Sequence, residues 1–468
     1  MSGIRIRYLS FFFGLIAVLS LLNVIYSYYL NLYLNLNTYY LSFISSSIIG
    51  FIFYRFEKIK LKVTIFDKIL TVFFGYLLLP IILSLPFYFS IYNLTFLNAF
   101  FEAISGFTST GFTIFDNIKH IDQSLILWRS SIQWIGGLYF LFSIIYLIDI
   151  YDENFKKTLT HYLSFNSSEI FKQSFKIFLI YFGLTLLIFV VLNFLSIRSF
   201  NSFNLALTII SSGGFLPTNN LSDILKTDAQ IIIFSLLLLF SFFSIFFFYN
   251  LIFIKKKNIN FFYEDIHLIF YYFIVVSIFF IFFSFNNDFS KNLLSLSSSM
   301  SNIGFSLNFD QSNLNIIYLI LVIIGGSFFS TSSGLRFIKV YSLFKYSINQ
   351  ILSFSRPKSI FMNKLIFTKI NFDFKEINKY FLTILIFVIS LFTLTLLLSF
   401  SLFDFENAFK LSVLTIMNTV NSSAYGLSDF DFYNLNSFTK NCLILFMIIG
   451  RIELLTILII IKNFLFKD

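Results

Sequence analysis

Apolar residues in this chain come in long unbroken runs, not in alternation or as a helical stripe. Two runs open it, at roughly 8–30 and 38–56. Each matches the ~20 residues that carry a helix across a bilayer. Beyond them, apolar runs flank short half-polar stretches dense in Ser, Thr and Gly. The clearest is Phe101-Glu102-Ala103-Ile104-Ser105-Gly106-Phe107-Thr108-Ser109-Thr110-Gly111-Phe112-Thr113. It is too short and too polar to cross lipid. A segment that enters a membrane and returns needs shielding, because its backbone N–H and C=O groups find no water there. Lining an aqueous passage answers that need. Glycine allows the positive φ that turns successive carbonyls toward one axis.

The tip recurs. Ser212-Gly213-Gly214 follows a short stretch beginning at Asn201, and Asn302-Ile303-Gly304 follows one beginning at Lys291. Ala424-Tyr425-Gly426 follows one beginning at Asp404, with Ala424 in the glycine slot as the alternative register. The glycines lie roughly a hundred residues apart, room for a helix in, a re-entrant segment and a helix out. The pattern predicts an all-α polytopic membrane protein. Four M1–P–M2 pore repeats surround a pseudo-fourfold pore, with two extra N-terminal transmembrane helices and about ten spans in all. The divisions fall at 1–62 for the N-terminal pair, then 63–150, 151–257 and 258–347 for three repeats. A basic link and the fourth repeat occupy 348–468.

Composition agrees. Mean hydropathy is +0.85, with 57% hydrophobic and only 12% charged residues over 468 positions. No soluble domain of that size has such usage. The single cysteine, Cys442, rules out an internal disulfide, and His120, His161 and His267 are far apart in sequence. The net charge of +10 does not point to nucleic acid, because basic residues cluster between spans. Arg5 and Arg7 precede the first span, and Arg55, Lys58, Lys60 and Lys62 follow the second. Lys255–Lys257, a link with Arg356, Lys358, Lys364, Lys369, Lys375 and Lys379, and then Lys462 and Lys467 fall on the same side. The positive-inside rule makes that side cytoplasmic, together with both termini. The other side carries acids at Asp223, Asp288, Asp310, Asp404, Glu406, Asp429 and Asp431, a mouth that attracts cations. The first run is too long for a signal-peptide core and reads as a retained helix.

Three features break lipid logic. Trp128-Arg129-Ser130-Ser131-Ile132-Gln133-Trp134-Ile135-Gly136-Gly137 places Arg129 near the start of a span, where it either snorkels or braces the first tip through Glu102. Gly325-Gly326-Ser327-Phe328-Phe329-Ser330-Thr331-Ser332-Ser333-Gly334 interrupts a span. It is either a small-residue packing face or a broken helix whose loop obstructs the path, with Gly325, Gly326, Ser330, Thr331 and Gly334 forming it; the resumption of the apolar pattern beyond favours the break. Gly450-Arg451-Ile452-Glu453 buries a cation inside the last span, at a cost of about 2.5–3.5 kcal/mol on insertion scales. Facing the pore, Arg451 would repel a passing cation. No His constellation suggests a membrane enzyme.

These motifs resemble the TrkH-type subunit of the Trk/Ktr/HKT superfamily of potassium transporters, over almost the whole chain. The resemblance implies a K⁺ selectivity filter made of Ser109, Thr110, Gly111, Ser212, Gly213, Gly214, Asn302, Ile303, Gly304, Ala424, Tyr425 and Gly426. It implies gating by the Gly325–Gly334 loop with Arg451 beside it, and filter support from Glu102 and Arg129. The chain is then no enzyme. K⁺ is its cargo, with no covalent cofactor, and a bacterial cytoplasmic membrane is its place. Membrane lipid, a second copy in a homodimer and a cytosolic TrkA-like nucleotide-binding regulator are the implied partners. A Na⁺-permeable or mixed relative is the alternative, and a non-transport membrane subunit the more distant one. Phe328, Phe329 and Arg336 depart from the family's loop pattern.

Overall fold

The computed structural model describes residues 6–55, 64–147, 170–253, 263–283, 289–307, 314–354, 374–401, 403–427, 430–452 and 456. Most of the basic clusters used for topology lie outside the described residues: Arg5, Lys58, Lys60, Lys62, Lys255–Lys257, Arg356, Lys358, Lys364, Lys369, Lys462 and Lys467. So do Asp288, Asp310, Asp429 and Glu453.

The N-terminal pair is α1 (Ile6–Tyr29) and α2 (Leu36–Arg55), which pack on each other. α3 (Ile65–Leu83) begins at a Thr64–Asp67 capping box and holds Pro80 inside. Ser84 then breaks it from α4 (Leu85–Tyr88), where Pro86 stands in the first turn and its missing N–H costs nothing. α1 packs on α3 and on α6 (Gln123–Tyr146), so the pair sits against the first unit.

Each unit contains a helix of 12 residues: α5 (Phe96–Phe107), α8 (Ser199–Ile210), α12 (Phe289–Met300) and α16 (Phe405–Ile416). Long helices lead in: α7 (Ile170–Phe194), α11 (Tyr263–Phe283) and α15 (Phe374–Ser399) in the later units. The helices that lead out are α6, the broken pair α9 (Asp228–Phe242) and α10 (Ile245–Phe253), the pair α13 (Asn315–Ile323) and α14 (Phe337–Ser353), and α17 (Ser437–Arg451). α14 continues past position 347, where the third unit was expected to end.

Among the described residues, six stretches are long and apolar enough to cross a membrane, fewer than the ten runs in the sequence: Tyr8–Tyr29, Leu36–Arg55, Ile65–Tyr88, Phe175–Phe194, Glu264–Ile281 and Ile377–Ser399. The outgoing helices account for the difference. α6 is studded with Arg129, Ser130, Ser131, Gln133, Gly136 and Gly137, and α9, α13 and α17 have only 15, 9 and 15 residues. α6 is enclosed by protein and so escapes the demand for continuous hydrocarbon, whereas α13 and α17 keep Ile316, Ile320, Phe438 and Leu445 exposed and are simply short. The incoming helices show the opposite: the Glu264–Ile281 stretch is only 22% buried. Large apolar residues such as Phe273, Ile281, Ile389 and Leu396 stand exposed along them, a surface suited to acyl chains.

Packing closes a circle. α6 lies against α8, α9 against α12, α13 against α16, and α17 returns to α5. Each outgoing helix thus supports the next unit's short helix, and the last supports the first.

Candidate functional site

Each 12-residue helix ends at the same backbone device. Two residues past Phe107, Ile210, Met300 and Ile416 stand Ser109, Ser212, Asn302 and Asn418, with φ of 58, 55, 58 and 48°. Left-handed backbone is uncommon outside glycine, and Asn tolerates it best. Four repeats of it at one place define the turn that ends the helix and sends the chain back. Two residues further on stand Gly111, Gly214, Gly304 and Val420.

This corrects the fourth tip. Ala424, Tyr425 and Gly426 are not its turn. Ser423–Tyr425 form a single 3₁₀ turn closed by Gly426 at φ 71°, and a Cβ on Gly426 would meet Asn315 and Lys410. Tyr425 Oη pairs with Ser299 Oγ at 3.1 Å. The fourth tip is Asn418-Thr419-Val420, because α16 ends at Ile416 and the helix end dictates the register.

The four tips touch in sequence around a ring. A Cβ on Gly111 would lie 2.6 Å from the Gly214 Cα. Ser212 Oγ donates to the Ser301 carbonyl at 2.6 Å. Asn302 Nδ2 donates to Thr419 Oγ1 at 3.4 Å, and Ser306 Oγ pairs with Ser423 Oγ at 2.8 Å. Asn418 Nδ2 donates to Thr110 Oγ1 at 3.0 Å, closing the circle from fourth tip to first. Of the expected residues, Ser109, Thr110, Gly111, Ser212, Gly213, Gly214, Asn302, Ile303 and Gly304 are brought together. A cavity of about 480 Å³ opens on one side, lined by all four tips and by Asp116, Arg129, Asn219 and Asp431.

Glu102 and Arg129 form an ion pair beside the ring. Their side chains are fully buried and 2.9 Å apart. Glu102 also accepts from the Ile114 amide at 2.9 Å and from Thr113 Oγ1 at 3.1 Å. Arg129 donates to Thr113 Oγ1 at 2.9 Å, and its guanidinium carbon lies 4.2 Å from the Phe215 ring centre. One ion pair thereby ties the ascending arm of the first tip to the residue after the second. Close backbone approach completes the support: a Cβ on Gly136 would lie 1.9 Å from the Phe107 carbonyl oxygen, and one on Gly450 would lie 2.1 Å from that of Ile416. Only glycine lets α6 and α17 come so near the ends of α5 and α16.

On the side away from the cavity lies the Gly325–Gly334 loop. α13 stops at Ile323; β1 (Ile324–Gly325) pairs in parallel with β2 (Leu335–Arg336), and α14 follows. Thr331 Oγ1 donates to the Ile210 carbonyl at the end of α8, at 2.7 Å. Arg336 fills the loop, donating to the Ser327 and Ser332 carbonyls at 3.0 Å each and to Ser330 Oγ at 3.1 Å. Gly326 N donates to Ser332 Oγ at 2.9 Å. Arg451 donates to Ser333 Oγ and, at 3.2 Å, to Ser109 Oγ. Its guanidinium carbon lies 3.9 Å from the Phe140 ring centre, and that of Arg336 lies 4.9 Å from it. Two buried cations therefore share one aromatic ring.

Two parts of this site escaped sequence reasoning. The break between α9 and α10 docks the loop: Ser327 N donates to the Phe242 carbonyl, Ile245 N to that of Phe329 and Ser332 N to that of Ser241. The apolar run there gives no warning beyond Ser241 and Ser244. Glu264, at the start of α11, takes both its oxygens to the Phe328 amide at 3.0 and 3.1 Å and accepts from Ser327 Oγ. An acid near a span's end looks like an interfacial residue, so nothing in the sequence marks it as a clamp. Among the described residues, no group of three or more His, Cys, Asp or Glu could hold a metal ion.

Fold and site together define a multi-pass α-helical membrane protein with four short helices converging on one ring. No family model matches the chain. A protein of Methanocaldococcus jannaschii named as an uncharacterized cation transporter is 24% identical over 90% of this chain and 87% of its own length. The Trk system potassium uptake protein TrkH of Escherichia coli is 23% identical over 81% of each chain. The crystal structure of the potassium transporter TrkH from Vibrio parahaemolyticus superposes with a TM-score of 0.83 over 98% of both chains, at 20% identity. The chain has the TrkH fold, and its resemblance to TrkH-type subunits holds over most of its length.

Proposed function

We propose that this chain carries potassium into a bacterial cell through the ring of four tips. Backbone carbonyls there replace part of the ion's hydration shell. The short helices aim their negative C-terminal ends at the space beneath the ring, which favours a cation. Inward movement follows the membrane potential, worth about 2.3 kcal/mol per charge per 100 mV. The acids Asp116 and Asp431 on the cavity wall raise the local cation concentration.

The observation that carries this reading is the closed circle of tip contacts with Arg451 beneath it. The Arg451 guanidinium occupies the place an ion leaving the ring would take, bonded to Ser109 Oγ near the end of α5. It acts as an electrostatic barrier, and the Gly325–Gly334 loop acts as a lid that must move with it. Docking of a cytosolic TrkA-like regulator and pairing of two copies, both expected from the resemblance, are the means by which the lid would be driven. Ion uptake by purified protein in liposomes, with potassium, rubidium and sodium compared under an imposed potential, tests the proposal. Potential-driven uptake supports it, and vesicles as tight as protein-free ones would refute it.

A further inference from the structure

Three tips place glycine at the ring; the fourth places Val420 there. Tip order follows helix packing, so the second tip faces the fourth across the circle. The valine side chain reaches over that diagonal. A Cβ on Gly214 would lie 2.4 Å from the Val420 Cβ and 3.1 Å from its Cγ1. A Cβ on Gly304 would lie 2.9 Å from the same Cγ1. The isopropyl group is thus wedged between the second and third tips, and Val420 is half-buried on the cavity wall.

Backbone geometry follows the same division. Gly111 and Gly304 hold φ of 85 and 86°, whereas Gly214 and Val420 do not adopt positive φ. A β-branched residue is a rare outlier in that region, so the fourth tip cannot copy the peptide orientation of the first and third. The Val420 amide also donates to the Ile303 carbonyl at 3.4 Å, engaging an oxygen that would otherwise be offered to an ion.

We propose that Val420 is the residue that sets throughput and ion preference in this ring: a hydrocarbon constriction where the other three corners carry glycine. An ion must push the isopropyl group aside and shed water with fewer carbonyl dipoles around it. Fewer dipoles weaken the preference for potassium over the smaller sodium ion. The inference rests on the conduction reading above.

The test is a series at this one position, Val420→Gly, Val420→Ala and Val420→Ile, purified and reconstituted beside the natural protein. Size-exclusion profile and thermal unfolding select the folded variants. Rubidium uptake should rise from Ile through Val and Ala to Gly. The glycine variant should gain roughly tenfold, about 1.4 kcal/mol off the barrier, and its ratio of rubidium to sodium uptake should rise as well. If Val420→Gly fails to fold, the alanine and isoleucine variants decide by moving uptake in opposite directions. A conducting natural protein with a flat series overturns the constriction while leaving conduction intact. No flux from any folded member, natural protein included, overturns the conduction reading and the constriction with it.

Discussion

Arg451 Nη2 donates to Ser109 Oγ at 3.2 Å across 342 positions of sequence. A helix near the end of the chain thereby places its cation against the turn of the first tip. The same guanidinium donates to Ser333 Oγ in the loop, so one side chain links the ring to the loop. Removing it should remove both the positive barrier and one tether of the loop. Arg451→Ala is expected to raise rubidium uptake in liposomes by about tenfold or more, on the order of the 1.5–3 kcal/mol carried by a hydrogen bond to a charged group. Unchanged or lower uptake from well-folded protein would count against the barrier.

Glu264 holds the loop from the other side by accepting twice from the Phe328 amide. Glu264→Ala leaves that buried amide without its acceptor. Backbone amides between 326 and 334 should then exchange with deuterium at least about fivefold faster, from the ~1–3 kcal/mol cost of a buried donor left unsatisfied. Exchange in α2, on the N-terminal pair, should stay as it is. Equal protection of the loop in both proteins would show that Glu264 does not hold it.

The Glu102–Arg129 pair is fully buried. Breaking such a pair from one side strands a charge and costs about 3–5 kcal/mol. Arg129→Met should therefore lower the thermal midpoint in detergent sharply. The double variant Glu102→Gln with Arg129→Met should recover part of the loss, because the orphaned carboxylate is gone. A double variant as unstable as the single one would contradict this account.

Backbone clearance separates two glycines that look alike in the sequence. A Cβ on Gly136 would meet the Phe107 carbonyl at 1.9 Å, whereas Gly183 has nothing within 4 Å. Gly136→Ala should destabilise the protein by about 1–3 kcal/mol, the scale of overpacking. Gly183→Ala, inside α7, should be neutral or slightly stabilising, since alanine is the better helix former by about 1 kcal/mol. Paired thermal unfolding curves check both.

The register of the fourth tip has its own experiment. Gly426 caps a 3₁₀ turn at φ 71°, a conformation Asn tolerates. Gly426→Asn should leave uptake within about twofold, while Gly304→Ala, at φ 86° and against the Val420 carbonyl, should abolish it. Loss of uptake in both would return Gly426 to the ring.

Much of this is legible in the sequence. The Glu102–Arg129 ion pair was readable because a charge inside an apolar run demands a partner. The broken helix at Gly325–Gly334 was readable because small hydroxyl residues in such number cannot hold a helix against lipid. Val420 was not: a search for glycine moves down the chain to Gly426, and no local pattern objects. The turn is marked instead by Asn418, whose left-handed backbone only the folded helix end discloses. The break at Ser244 was hidden for a related reason. Phe242-Phe243-Ser244-Ile245 is apolar enough for a continuous helix, and only the carbonyls taken by Ser327 and Ser332 show where it stops.

By itself the chain determined its class, the first three tips and the charges that violate membrane logic, because burying a polar backbone or a cation in hydrocarbon is so costly that the pattern must be written residue by residue. The folded structure alone decided which tips meet, where the fourth one turns, and that Glu264 and the α9–α10 break grip the loop. Those depend on which distant carbonyls and amides come within bonding distance, and hydropathy carries no record of that.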